Sequence, residues 1–360
     1  MNKFNLDYID SMRGIAILMV LAVHFTIFLE FYNIEHLPLG IENILRSGKY
    51  GVALFFIVSA FTLFRSLDVR QECGYRAYYF RRFFRIAPAY YLVLIVVFSI
   101  SDGQMYYMED IESVNSIFNL FAHIFFINGF FTNYFNSILG VEWTIFVEVS
   151  FYIILPLLYV YRKYLLQITV FFLLLALMGF MASKIINFTE LERIQLYFSP
   201  IIWFVVFTFG GLIYKYHNNN LIKSISIKYK SPIVIVLVLA FIVLSYVKIT
   251  GTALIFSFIL GLFFILNSYN HIFIFNNIIL KKIGKLSFSI YLIHFPIIGY
   301  IKNNFIGGGV MVFENQILNY ILLCSLVFIV VLILSVITYR FVEQPFIELG
   351  KKLINKEVLK

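Results

Sequence analysis

Apolar residues in this chain gather into runs of about twenty, punctuated by short polar stretches, and a helix of that length crosses ~30 Å of hydrocarbon. Ten such runs lie near 13–32, 49–65, 84–101, 143–161, 165–182, 199–216, 232–247, 251–268, 286–301 and 317–340. An eleventh piece, NLFAHIFFINGFF at 119–131, is short and carries Asn, His and Gly, so it is expected to be re-entrant or interfacial rather than spanning. The predicted fold is all-α, a polytopic membrane helix bundle of about ten transmembrane helices. One transmembrane domain is expected over 1–345, with a short basic tail over 346–360 and no linker to a soluble domain. The first run lacks a small-residue cleavage site, so it is expected to stay as the first span.

The polar punctuation orients the bundle. With ten spans and the N-terminus inside, external loops hold six of the 28 Lys and Arg, namely Arg46, Lys49, Lys184, Arg193, Lys248 and Lys302, and the other 22 are cytoplasmic. The loop from 102 to 142 contains Asp102, Glu109, Asp110, Glu112 and Glu142 with no Lys or Arg, which places it outside. Both termini are then cytoplasmic.

Composition agrees: 61% hydrophobic and 13% charged residues with mean hydropathy +0.90, against roughly 25% charged in a soluble domain. The net charge of +9 reads as anchoring to the inner leaflet and gives no reason to infer nucleic acid as a partner. Cys73 falls in a cytoplasmic loop and Cys324 in the last span, so no disulfide is expected. No GxSxG elbow, HExxH pair or phosphate-cradling glycine loop is present, Gly307 to Gly309 form a flexible outer turn, and His24, His123 and His294 lack metal-ligand spacing, so no metal is expected.

Six stretches are too polar or too patterned for lipid-facing helix. In SMRGIAILMVLAVHF, Arg13 and His24 are eleven residues apart, a rotation of ~1,100°, which puts them on one helical face with a rise of ~16 Å. His24 then falls near the middle of the hydrocarbon, where an ionisable group usually faces protein or a wet cavity. GKYGVALFFIVSAFTLF has Ser59 in mid-helix, where packing between helices is the simpler reading. YYFRRFFRIAPAYY sets Arg82 and Arg85 on one face at a cytoplasmic helix start, as an interfacial anchor or as a phosphate clamp beside a helix N-terminus. VEWTIFVEVSFYIILP has Trp143 at the outer interface, read as part of an aromatic belt, and Glu148 about a turn and a half deeper, where a carboxylate needs a partner, a proton or water. LSFSIYLIHFPII carries Tyr291 and His294 three apart, with Pro296 expected to bend the span. YRFVEQPF reads as a helix stop with local ion pairing.

Together these six stretches resemble the acyltransferase-3 family of bacterial membrane O-acyltransferases, which modify cell-surface sugars. The likeness runs from Asp10 to Pro345 and rests on Arg13, Gly14, Ala16 and His24; Gly51 to Phe56; Arg82 and Arg85; Trp143 and Glu148; Ser287, Tyr291, His294 and Pro296; and Phe341 to Pro345. Ala60, Thr144 and Phe288 depart from the family pattern conservatively, and the esterase-like domain fused to some relatives is not expected here.

The resemblance implies a multi-pass protein of the bacterial inner membrane. It implies a cytosolic acyl-CoA donor, most often acetyl-CoA or another short acyl-CoA, with its phosphates near Arg82 and Arg85 and with Ser59 assigned to the donor side. His24 would act as general base, Arg13 would steer the donor, and Glu148 would orient His24 or the acceptor. Trp143, Tyr291 and His294 would face a surface or lipid-linked polysaccharide acceptor. A transporter or flippase for lipid-linked saccharide, with His24 and Glu148 as a proton relay, is the rival reading. Its usual paired repeats and interrupted helices are not visible.

Overall fold

The computed structural model describes residues 7–69, 74–100, 116–247, 252–269, 272–305 and 313–358. Cys73, Lys248, the acidic residues Asp102, Glu109, Asp110 and Glu112, and the glycine turn at 307–309 lie outside the described residues. Among the described residues the chain is helical, with no strand: α1 (Asp7–Phe25), α2 (Ile27–Phe31), α3 (Ile41–Arg46), α4 (Gly51–Val69), α5 (Gly74–Ile100), α6 (Ile117–Ile124), α7 (Trp143–Val160), α8 (Leu165–Ile185), α9 (Glu190–Tyr197), α10 (Pro200–Tyr216), α11 (Asn220–Lys228), α12 (Lys230–Ser245), α13 (Thr252–Tyr269), α14 (Ile278–Lys285), α15 (Ser287–Phe305), α16 (Gln316–Thr338) and α17 (Gln344–Val358).

Among the described residues eight helical segments are long and apolar enough to cross a membrane, and taking each of two bent pairs as one span brings the number to ten. All ten runs expected from the hydrophobic pattern have a counterpart, and the protein is a multi-pass membrane helix bundle. The bends have a physical cause. α11 and α14 are short and amphipathic, with Lys223 and Lys228 on one and Lys281, Lys282 and Lys285 on the other. Such helices prefer the plane of the membrane surface. The apolar segment after each then turns away, by 81° into α12 and by 66° into α15. The piece at 119–131 forms only the eight-residue α6 and one further 3₁₀ turn, too short to span.

Several boundaries differ from expectation, two of them with a readable cause. α5 begins at Gly74, ten residues ahead of the predicted 84, because the Tyr- and Arg-rich stretch before the apolar run is itself helical. YRFVEQPF does not stop the last helix. Tyr339–Glu343 forms a π-helical turn that absorbs Pro345, and the helix continues as α17.

Contacts divide the chain into two compact units. The first holds residues 1–63, 206–288 and 300–329. Here α1 and α14 touch backbone to backbone: a Cβ on Gly14 would overlap the carbonyl of Leu280, and one on Gly284 the carbonyl of Asp10. Ser11 Oγ donates to Asn276 at 2.9 Å beside this crossing. At the end of α10, His217 is buried, stacked on Tyr269 with Nε2 3.0 Å from Ser268 Oγ. Burial lowers the His217 pKa below the usual histidine value.

The second unit holds residues 64–205, 289–299 and 330–360. Pro156 lies inside α7 and has no N–H, so the carbonyl of Tyr152, four residues earlier, lacks its helical donor. The hydroxyl of Tyr78 on α5 donates to that carbonyl at 3.2 Å, and Tyr79 donates to the next, Ile153, at 3.0 Å. α17 lies against α5, with Gly350 packed on the ring of Phe84.

Candidate active site

In the second unit α5 and α7 bring charge together inside an apolar bundle. Glu148, half-buried on the second turn of α7, accepts a hydrogen bond from the hydroxyl of Tyr152 one turn on. The Arg82 guanidinium lies 5.8 Å from the centres of both the Tyr78 and Tyr152 rings, a cation–π position on either side. Arg85 is close enough that its charge, like those of Arg82 and Glu148, bears on the Tyr152 hydroxyl. Two guanidiniums and one carboxylate thus gather around one tyrosine. Arg82 and Arg85 do lie on one face, but eight and eleven residues inside α5 from Gly74. The expected position beside a helix N-terminus is corrected: both lie well inside α5, and the Arg82 guanidinium is set between two aromatic rings.

Trp143 is also corrected. Only 9% of it is exposed, its ring stacks on Phe198 at 4.3 Å and it meets Trp203 at 5.6 Å. It therefore belongs to an internal aromatic cluster and not to a lipid-facing belt. Beside it, Thr144 Oγ1 donates to the Tyr291 hydroxyl at 2.7 Å, and that hydroxyl donates to the Val141 carbonyl at 3.0 Å. Tyr291 and His294 share a face of α15, their rings 5.5 Å apart. His294 is wholly buried, with Nδ1 2.7 Å from the Tyr291 carbonyl, so its imidazole is engaged with its own helix.

The first unit holds Arg13, His24 and Ser59. α1 is continuous from Asp7 to Phe25, so Arg13 and His24 do share one face. Because the helix begins near Tyr8 and not at 13, His24 falls in the last turn of α1, short of the break at Thr26. Arg13 lies 4.0 Å from Asp10 one turn earlier. Ser59 is half-buried in α4, and its carbonyl accepts from Thr62 at 2.9 Å. Among the described residues no group of three or more His, Cys, Asp or Glu is arranged to hold a metal ion.

The second unit thus holds a buried tyrosine ringed by charge, and in the first unit Arg13 and His24 lie along one face of α1. The profile of an acyltransferase domain matches residues 6–340, nearly the whole chain. The chain belongs to the acyltransferase-3 family. It is similar to a protein of Acidianus two-tailed virus named as an acetyltransferase, 31% identical over 216 residues, which are 59% of this chain and 58% of that relative. It is also similar to proteins of Staphylococcus aureus strains COL and MSSA476 named as O-acetyltransferases, each 25% identical across 96% of this chain and 58% of the relative. The chain thus spans 58% of the length of these curated relatives. No solved structure matches it.

Several partners in this acyltransferase-3 chain escaped the sequence reading. Tyr78 and Tyr152 stand four residues before Arg82 and four after Glu148, the spacing of neighbours on one helix face, which was the available signal. Glu343, only 3% exposed, accepts from Ser289 Oγ at 2.8 Å, which no local pattern announces.

Proposed function

We propose that this protein transfers a short acyl group, acetyl in the simplest case, from cytosolic acyl-CoA to a hydroxyl of a cell-surface or lipid-linked carbohydrate at the bacterial inner membrane. The observation that carries this reading is the grouping of Arg82, Arg85 and Glu148 around Tyr152 inside a bundle of apolar helices. Charge placed at that depth is costly and is kept for function. Forked guanidiniums suit the phosphates of the donor, with Ser59 also assigned to the donor. Arg13 steers the donor along the stripe it shares with His24.

His24 is the proposed general base, since an unperturbed imidazole titrates near pH ~6.5, suited to proton transfer at neutral pH. It takes the proton of the acceptor hydroxyl as the oxygen attacks the thioester carbonyl. The C–S bond breaks, the new C–O ester bond forms, and the proton passes to the departing CoA sulfur. Glu148 orients the acceptor. Trp143 and Tyr291 shape the acceptor side, and His294, being buried, acts there through Tyr291.

The test is release of free CoA thiol by purified wild-type and His24→Gln protein with acceptor sugar supplied. The Gln variant keeps size and a hydrogen bond but should lose ~10²- to 10⁴-fold in rate. Equal rates remove His24 from catalysis, and no release from wild type restores the transporter reading.

A further inference from the structure

Between α6 and α7 lies a second ionisable couple that the proposed transfer does not use. His123 and Glu142 are both 0% exposed, and His123 Nε2 lies 3.1 Å from Glu142 Oε1. His123 Nδ1 is 2.8 Å from the Asn119 carbonyl, an atom that can only accept, so Nδ1 carries a hydrogen. The Glu142 carboxylate accepts backbone N–H from Ile138 at 2.6 Å, Leu139 at 3.1 Å and Val141 at 2.9 Å. Nε2, 3.1 Å from the Oε1 that also takes two of these amides, closes a hydrogen-bonded couple between the two side chains, sealed from solvent. Both imidazole nitrogens are occupied and no part of the ring is exposed, so His123 is not a second base.

Its effect runs through the chain it holds. By drawing three amides onto one side chain, Glu142 folds Ile138 to Val141 into a fixed turn directly before Trp143, and the pair ties this turn to α6. Asn119 is itself fixed by Ser137, whose Oγ donates to its side chain at 2.9 Å. The Val141 carbonyl at the end of the turn is the atom to which Tyr291 donates, and Thr144 donates to that same hydroxyl. We infer that His123 and Glu142 are positioning residues, a buried hydrogen-bonded couple that sets the start of α7 and through it the placement of Trp143, Thr144 and Tyr291 for the carbohydrate acceptor. This rests on the acyl-transfer reading for what is positioned, but the geometry belongs to the pair itself.

The experiment uses full-length protein in detergent with Glu142→Gln, His123→Phe and the double variant, each also in a Trp203→Phe background, where Trp143 is the one remaining tryptophan of two. Each single variant leaves one member of a buried pair uncompensated, whereas the double leaves neither. Both singles are expected to raise KM for the acceptor about ten-fold or more, with KM for acyl-CoA within about two-fold of wild type. The Trp143 emission is expected to move in both, and the double variant is expected to lie nearer wild type than either single.

Equal losses for donor and acceptor that add in the double variant, with Trp143 emission unmoved, overturn the inference and leave the pair as packing. Should a single variant fail to fold, the double variant decides by the same emission and KM criteria. If wild type releases no CoA thiol, the acyl-transfer reading fails on its own. The pair is then judged by Trp143 emission alone: a shift in the singles that is reversed in the double upholds it, and no shift overturns it.

Discussion

Glu148 accepts the hydroxyl of Tyr152 from one turn further along α7, and the same tyrosine ring carries the Arg82 guanidinium at 5.8 Å. Tyr152→Phe keeps the ring and the cation–π contact but removes the hydrogen bond. Transfer is expected to fall about ten-fold, the worth of one hydrogen bond to a charged group, while the yield of folded protein stays the same. Thiol release at matched protein concentration measures this, and an unchanged rate would show that Glu148 works without its neighbour.

Arg82→Lys and Arg85→Lys should each raise KM for acyl-CoA by about ten-fold or more, since an ammonium cannot reproduce a forked contact with phosphate. Donor titrations of the purified variants give the number. Unchanged affinity in both would return the pair to the role of interfacial anchor.

Gly14→Ala and Gly284→Ala should destabilise the first unit by about 1–3 kcal/mol, as overpacking does, because the added methyl meets a backbone carbonyl that has nowhere to go. Thermal unfolding followed by size-exclusion recovery tests this. Gly74→Ala is a useful contrast, since no atom lies within 4 Å of a Cβ there and only its φ of +63° opposes substitution.

Stability should also fall on mild acidification through His217. Its folded pKa lies below the ordinary 6.5 because burial disfavours the charged ring, so the unfolded chain binds the proton first. The contribution is complete above pH ~6.5 and is lost as pH drops towards the folded value. Unfolding midpoints across that range should be flatter in His217→Gln than in wild type.

For topology, single cysteines at Glu190 and Asn218 in a background without Cys73 and Cys324 should differ. An impermeant thiol reagent added outside intact cells is expected to label the first position and spare the second. Labelling at Asn218 alone would falsify the inside placement of both termini.

The spans were legible because a bilayer demands long apolar runs, and that demand marks most positions from Gly51 to Phe64 or from Ile317 to Ile337. Ends were less legible. The Tyr- and Arg-rich start of α5 is polar enough to pass for a loop yet helical in fact, and the π-turn at Tyr339–Glu343 lets Pro345 sit where a stop was expected. Of the candidate site, pairs that share a face of one helix were visible from spacing, as with Arg82 and Arg85. Partners from distant segments were not. Glu142 read as one more acidic loop residue, because nothing in VEW tells that three amides and an imidazole converge on it.

The missing amide hydrogen of Pro156 has one further consequence. Helices packed through smooth aliphatic faces can slip along each other, and a slip of a single residue changes depth by ~1.5 Å and turns the face by ~100°. By leaving one carbonyl of α7 for Tyr78 to claim, the proline acts as a detent that holds α5 at one setting. Arg82 is one turn beyond Tyr78 and Glu148 one turn before Tyr152, so that detent also meters how far apart, along the membrane normal, the opposite charges ride.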